Sequence, residues 1–187
     1  MSLPDPSSFD RFAVVAFGTP EVVEAVEQIR RALPPSGRPI LGAHVTVKGT
    51  FVDPTDLDQI AERVRATCAA SRPFTLTTSE IHIWSDEAGS GVLFEIEESP
   101  ELTRLHWQLV EQVKELATTI YYGEDIGSYR PHLTVVQQIP HADADAAVPM
   151  IERLSAGFTF LVTKTALVGR RGGTAWETIA TFPIGSL

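Results

Sequence analysis

The chain has 187 residues, of which 43% are hydrophobic, and it carries a net charge of −9. This composition indicates a globular chain with a sizeable core, and no apolar run is long enough to span a bilayer. The acidic balance, without a basic stripe, argues against a long nucleic-acid duplex as a partner. The polar segment 1–10 does not resemble a secretory signal. Cys68 is the only cysteine, so we expect no internal disulfide and a cytoplasmic location. It lies in a helical pattern, where we expect a buried thiol rather than a nucleophile.

The first half of the chain opens with a strand and a helix. Residues 12–17 form a strand-like run. Thr19-Pro20-Glu21 then begins a helical pattern, with Pro20 in the first turn and Thr19 as the cap. Further strands are predicted at 43–49 and 73–84, and a second helix at 57–70.

The second half repeats this order. A strand at 92–96 precedes Ser99-Pro100-Glu101, which matches Thr19-Pro20-Glu21 at an offset of 80 residues. The segment AHVTVKG matches PHLTVVQ at an offset of 88 residues. A helix at 144–154 and strands at 158–169 and 174–182 complete the second unit.

A duplicated strand–helix–strand–helix–strand unit explains these matches, with repeats at approximately 11–90 and 91–183. We expect a single α+β domain over 1–187, built as two pseudo-twofold lobes. Two largely antiparallel sheets would carry helices on the outside and enclose a central cleft, with hairpins through 86–91 and 170–173. An accidental similarity between two ordinary strand–helix units is the alternative.

Two short motifs in equivalent places of the repeat carry the chemistry. Because side chains alternate along a strand, His44 and Thr46 share one face of the first motif (residues 44–47). His132 and Thr134 do the same in the second motif (residues 132–135). Pseudo-twofold symmetry would bring both histidines to one cleft.

Cleavage of a phosphodiester uses one group that removes a proton from the attacking oxygen and another that protonates the leaving oxygen. Histidine suits both roles because its ordinary pKa is about 6.5. The hydroxyls of Thr46 and Thr134 can hold the nonbridging oxygens. The alternatives are two structural histidines, or a zinc site, for which no third ligand is evident near either histidine.

On these residues the chain resembles the two-histidine (2H) phosphoesterase superfamily. The resemblance rests on His44-Val45-Thr46-Val47, on His132-Leu133-Thr134-Val135 and on Tyr129-Arg130-Pro131 before the second motif. It covers about residues 10 to 183. It implies a bilobal fold, no metal, no cofactor, and opening of 2′,3′-cyclic phosphates of nucleotides or RNA ends to 2′-phosphates.

Three residues near the motifs are predicted to bind substrate. Lys48 has the parity of His44, and Arg130 has the parity of His132. A solvated lysine is the alternative for Lys48. Tyr129, with Tyr121 and Tyr122 in the enlarged segment 118–130, could stack on a base or pack under the loop.

The other candidates carry weaker interpretations. Arg170-Arg171-Gly172-Gly173 is either a basic loop at the cleft or a solvated hairpin turn. No role is assigned to His82 or His106, each expected at the surface or packed, or to His141 in a polar loop.

The expected partner is a small cyclic nucleotide or an RNA terminus, with no membrane. No sequence feature specifies an oligomeric state. A catalytically silent nucleotide- or RNA-end-binding module on the same fold is the main alternative, and an interaction protein with an unused cleft is another.

Overall fold

A computed structural model describes residues 3–37, 41–120, 129–173 and 175–185. Over these ranges the chain forms nine strands and four α-helices after a short 3-10 turn. The elements are β1 (Arg11–Phe17), α1 (Pro20–Ala32), β2 (His44–Val52), α2 (Leu57–Ala70), β3 (Phe74–Asp86), β4 (Gly89–Ile96), α3 (Pro100–Val113), β5 (Thr118–Thr119), β6 (His132–Ile139), α4 (His141–Leu154), β7 (Thr159–Val162), β8 (Lys164–Arg171) and β9 (Ala175–Pro183). The strand–helix–strand–helix–strand order appears twice, as predicted.

All strand pairs are antiparallel, and the order across the sheet is β7-β3-β4-β6-β2-β1-β8-β9, with β5 paired to β2. The sheet consists of two halves, β2-β1-β8-β9 (the first half-sheet) and β6-β4-β3-β7 (the second half-sheet). A single residue pair, Val45 with Leu133, joins them. The two expected sheets are therefore present, but they meet edge to edge in one strand order.

The third strand of each repeat crosses to the other half. β3 pairs with β4 of the second repeat, and β8 pairs with β1 of the first. The prediction of one strand over 158–169 is wrong, because strand structure is interrupted at Thr163, between β7 and β8. Thr163 and Lys164 are both exposed, which breaks the alternation. β7 then stays with β3 while β8 enters the first half-sheet.

The helices cover one face of the sheet. α2 and α3 contact the first half-sheet, whereas α1 and α4 contact the second. The side chains of Asp56 and Ser99 accept backbone hydrogen bonds and cap α2 and α3. Thr19 precedes α1 but makes no side-chain cap, because its hydroxyl bonds the carboxylate of Glu21 instead. α4 begins at His141, earlier than the predicted residue 144.

The main core lies between this sheet face and the helices. Cys68 is fully buried in it, as predicted. The opposite face, here called the open face, carries no helix in the described ranges. It carries a small apolar cluster on the first half-sheet, formed by Ala13, Val15, Ala166 and Val168. Every helix in the described ranges is too short or too polar to span a bilayer.

Candidate active site

Both motifs lie on neighbouring strands, the first on β2 and the second on β6. Val45 and Leu133 are fully buried in the core. The motif histidines and threonines are only half-buried and lie on the open face. The alternation predicted from the sequence is confirmed in both motifs.

The pair between Val45 and Leu133 sets how the motifs meet. These two residues are 88 apart, the same offset that relates His44 to His132. The pseudo-twofold axis therefore passes beside this pair. Because the strands are antiparallel, the register places His44 across from Thr134, and the histidine of the second motif across from the threonine of the first.

Backbone carbonyls fix the tautomer of both histidines. Nδ1 of His44 donates to the carbonyl of Leu41 at 2.5 Å, and Nδ1 of His132 donates to the carbonyl of Arg130 at 2.9 Å. A carbonyl oxygen can only accept, so each Nδ1 carries the hydrogen. Nε2 of each ring is left for a ligand, as a base when the ring is neutral and as an acid when it is protonated.

The surroundings favour a neutral His44. Burial is the main reason that the pKa of His44 lies below its ordinary value, and hydrogen bonds to the carbonyls of Leu41 and Gly42 oppose it. The positive charges of His132 and Arg30 lower the pKa of His44 further.

Lys48 differs from its predicted environment. Its side chain is fully buried, and Nζ donates to the carbonyl of Gly49 at 3.3 Å and to Oγ1 of Thr119 at 3.2 Å. The interpretation as a solvated lysine is wrong, and so is the parity shared with His44. Lys48 pairs across the strands with Val14 of the main core, and its Nζ lies 5.8 Å from the ring centroid of the core residue Phe51. Contact of Lys48 with a substrate stays a prediction.

Tyr129 and Arg130 precede the second motif. The Tyr129 ring is half-buried and stacks on His106, with ring centroids 3.8 Å apart, and its hydroxyl donates to the carbonyl of Thr46 at 2.7 Å. Tyr129 therefore packs against the protein, the second of the two predicted arrangements. Arg130 is exposed beside His132. Substrate binding by either residue stays a prediction, and Tyr121 and Tyr122 lie outside the described residues.

The arginine-glycine segment forms the end of β8 and the beginning of the turn to β9. Arg170 pairs with Asp10, and Arg171 donates to Glu177 at 2.9 Å. Gly172 and Gly173 have φ values of 52° and 72°, a region that favours glycine. The hairpin-turn interpretation is confirmed.

The remaining histidines lie outside both motifs, and His82 lies on the open face, because its cross-strand partner Leu93 pairs in turn with Thr134. His82 is a surface residue 4.0 Å from Glu95, as expected. His106 is fully buried, the packed environment expected as one of two. The placement of His141 in a polar loop is wrong, because it begins α4 after Pro140 and contacts Oγ of Ser90 at 2.7 Å.

Sequence reasoning missed contacts of Arg30 and His106 with the motif strands. Arg30 on α1 donates to the carbonyls of Thr134 and Val135, each at 2.9 Å. His106 on α3 donates from Nδ1 to the carbonyl of Val47 at 2.7 Å. The position of His106 within the apolar stripe of its helix was a usable signal of burial. No local pattern marks Arg30 as a partner of the second motif, because the carbonyls that it bonds on β6 lie more than 100 residues away.

Comparison with solved structures supports this fold. Escherichia coli LigT complexed with 3′-AMP matches at a TM-score of 0.67 with 16% identity, covering 94% of this chain and 98% of that chain. The Thermus thermophilus protein TT0787 matches at a TM-score of 0.65 with 17% identity, covering 94% and 98%. Kluyveromyces marxianus Usb1 with uridine monophosphate matches at a TM-score of 0.51 with 13% identity, covering 96% and 100%.

A search of curated proteins returned no match. The family model described as the 2′-5′ RNA ligase superfamily matches residues 19–174, which include both motifs and most of the chain. This chain therefore belongs to the 2′-5′ RNA ligase superfamily, whose members are 2H phosphoesterases.

Proposed function

We propose that the protein is a metal-independent phosphodiesterase that hydrolyses 2′,3′-cyclic phosphates of nucleotides or RNA ends to 2′-phosphates. The observation that carries the proposal is the meeting of the two motifs at the pair of Val45 and Leu133. It brings two histidines of the same tautomer and two threonine hydroxyls to one face. Mononucleotides in LigT and Usb1, 3′-AMP and uridine monophosphate, support a nucleotide substrate.

In the proposed reaction His44 is the general base and His132 is the general acid. Nε2 of neutral His44 removes a proton from water, and the water oxygen forms a bond to phosphorus. The bond from phosphorus to the 3′-oxygen breaks, and Nε2–H of protonated His132 gives its proton to that oxygen. The products are a 2′-phosphate and a 3′-hydroxyl. Proton exchange with water restores both rings. The lowered pKa of His44 supports this division, since it favours the neutral ring.

The two threonines stabilise the negative charge of the phosphate. Because the register places Thr134 across from His44, and Thr46 in the equivalent position across from His132, a phosphate held between the histidines lies between two hydroxyls. Hydroxyl donors aimed at the nonbridging oxygens stabilise the charge that develops in the transition state.

The proposed substrate is a small nucleotide or the end of an RNA. The net charge of −9 opposes extended contact with a phosphate backbone. Recognition is therefore local, confined to the terminal phosphate and one or two nucleotides. A cytoplasmic location is part of this proposal.

The test is turnover by the purified chain of the four nucleoside 2′,3′-cyclic phosphates, short RNAs ending in a cyclic phosphate, and 2′-5′-linked dinucleotides. Chromatography that separates 2′- from 3′-phosphates identifies the product, and we expect the 2′-phosphate. Binding of a nucleotide by calorimetry without turnover of any substrate would support the silent binding module instead. A 3′-phosphate product would contradict the proposed leaving group.

A further inference from the structure

The first motif ends in a β-bulge. On β1, the neighbours Val14 and Val15 pair with Lys48 and Thr46. One residue of β2, Val47, is thus left over between two ladder positions. The extra residue of a bulge lacks the regular hydrogen bonds between strands, and a bulge changes the direction of the neighbouring side chains.

The second motif ends in the same way. On β4, Val92 and Leu93 pair with Val136 and Thr134, which leaves Val135 as the extra residue of β6. Val135 is 88 residues after Val47, so the bulges are equivalent under the pseudo-twofold symmetry. Each bulge directly follows the threonine of its motif.

Side chains from helix α3 and the segment before β6 take up the carbonyls at the first bulge. Nδ1 of His106 donates to the carbonyl of Val47, and the Tyr129 hydroxyl donates to the carbonyl of Thr46, both at 2.7 Å. The two rings are parallel within 4°, and His106 is fully buried. The stacked pair therefore presents two donors in fixed positions.

At the second bulge, one arginine from α1 donates hydrogen bonds to the equivalent carbonyls. Nε of Arg30 donates to the carbonyl of Val135 and Nη2 to that of Thr134. Nη2 also donates to the carbonyl of Gly42 at 3.1 Å, just before the first motif, and Glu27 holds Nη1. The Arg30 side chain is only 13% exposed. Its planar fork thus links the second motif to the segment that accepts from His44.

We propose that Arg30 and the stacked pair of Tyr129 and His106 are positioning residues, which hold the two bulged motifs in the orientation that catalysis requires. The inference rests on the proposed function. The residues that bond these carbonyls are not equivalent in the two repeats, since Arg30 lies 10 residues after Pro20 and His106 lies 6 after Pro100. What the two repeats share is therefore the bonded backbone carbonyls, and the inference concerns the position of the backbone. Reacting groups misplaced by about 1 Å lose on the order of 100-fold in rate.

The first experiment removes one hydroxyl. Tyr129→Phe keeps the ring and its stack on His106 but frees the carbonyl of Thr46. We expect kcat on a cyclic mononucleotide to fall by roughly 5–50-fold with little change in KM, as for an interaction expressed in the transition state. The control is Thr78→Val, which removes a buried hydroxyl bonded to the backbone of Phe158, outside both motifs. It should match Tyr129→Phe in melting temperature but keep kcat.

The second experiment separates the charge of Arg30 from its geometry. Arg30→Met should lower kcat by roughly 10–100-fold. The substitution should also raise the pKa of His44, because the positive charge of Arg30 lowers that pKa. NMR titration of the His44 ring measures this change. Arg30→Lys keeps the charge but lacks the fork, so it should restore the His44 titration and leave kcat low. Arg63→Met is the matched control, since it removes an arginine bonded to the carbonyl of Gln112 outside the motifs.

Several outcomes would overturn the inference. One is a folded Tyr129→Phe or Arg30→Met variant whose kcat stays within about twofold of that of its control. So small a change would mean that the lost hydrogen bond does not stabilise the transition state. Another is full recovery of kcat in Arg30→Lys, which would make the role of Arg30 purely electrostatic. If Arg30→Met does not fold, Tyr129→Phe and Arg30→Lys still decide.

The failure of the proposed function is distinguishable from these outcomes. If the wild-type chain hydrolyses no cyclic phosphate, the long-range nitrogen spectra of the His44 and His132 rings still test positioning without turnover. Positioning predicts altered ring signals in Arg30→Met but not in Arg63→Met. Unaltered signals in both variants would refute it.

Discussion

Asparagine substitutions at the two motif histidines test the reaction most directly. Nδ2 of asparagine takes the place of Nδ1 of histidine, so His44→Asn can still donate to the carbonyl of Leu41, and His132→Asn to that of Arg130. Each variant thereby keeps the local hydrogen bond and loses only Nε2 and the ring. His141→Asn is the matched control, since His141 is exposed at the start of α4, outside the motifs, and its Nδ1 likewise contacts one local partner, Oγ of Ser90.

The expected loss follows from what each substitution removes. A general acid or base contributes about 10²–10⁴-fold to the rate, which corresponds to about 2.7–5.4 kcal/mol at 1.36 kcal/mol for each factor of ten. Each single variant should lose this much in kcat/KM, whereas His141→Asn should stay at the wild-type value. The double variant should lose much less than the product of the two single losses, because the histidines act as a unit.

The assay measures initial rates on a nucleoside 2′,3′-cyclic phosphate, with folding checked by circular dichroism. A second substrate, a phosphodiester with a nitrophenolate leaving group, tells the general acid from the general base, because such a leaving group needs little protonation. The loss in His132→Asn should shrink on that substrate, and the loss in His44→Asn should persist. A folded single variant with nearly wild-type turnover of the cyclic phosphate would refute the paired-histidine mechanism.

Four further predictions follow from the site. The profile of kcat/KM against pH should be bell-shaped, as expected for a reaction that needs both a general base and a general acid. Its rising limb should lie below about 6.5, because His44 must be neutral and burial lowers its pKa. Turnover should continue in excess EDTA. Turnover of a cyclic mononucleotide should depend only weakly on salt, since contacts are local. Thr46→Val and Thr134→Val should each lower kcat by roughly 10–1,000-fold, as lost donors to the phosphate oxygens.

Each of these has a contradicting result. A rising limb well above the ordinary histidine range would remove His44 as the base. Loss of activity in EDTA with recovery on added zinc or magnesium would indicate a metal mechanism. A steep fall with salt that is confined to long RNA would reveal an extended binding face. Unchanged kcat in a folded threonine variant would remove that hydroxyl from the reaction.

The sequence predicts the motif strands well because their environment is periodic. Val45 and Leu133 face the core while His44 and His132 face away, and alternation reports this directly. The repeat then predicts that the motifs are equivalent. The sequence does not contain the register between β2 and β6, which places His44 across from Thr134 through a single residue pair.

The errors arise where long-range contacts override local pattern. The alternation predicts Lys48 on the face of His44, but the irregular pairing after Thr46 places it across from Val14 of the main core. Thr119 of β5, more than 60 residues later, then accepts a hydrogen bond from it. The break at Thr163 depends on which half-sheet each strand joins. The reach of Arg30 depends on how α1 lies against β6. In each case the deciding partner is far along the chain, where periodicity carries no information.

The near-identity of the motifs poses a chemical problem, since the proposed reaction needs one neutral and one protonated imidazole at the same moment. The asymmetry comes from what surrounds the motifs. At the bulge of β6 the carbonyls are taken up by a cation, Arg30, whereas at the bulge of β2 they are taken up by the hydroxyl of Tyr129 and the ring of His106. Arg30 also reaches the carbonyl of Gly42, beside the ring of His44. Its charge therefore acts on His44, adds to the effect of burial and lowers the pKa of that ring. A symmetric pair of strands thus gains a base in the first motif mainly through the burial of His44, to which the charge on α1 adds.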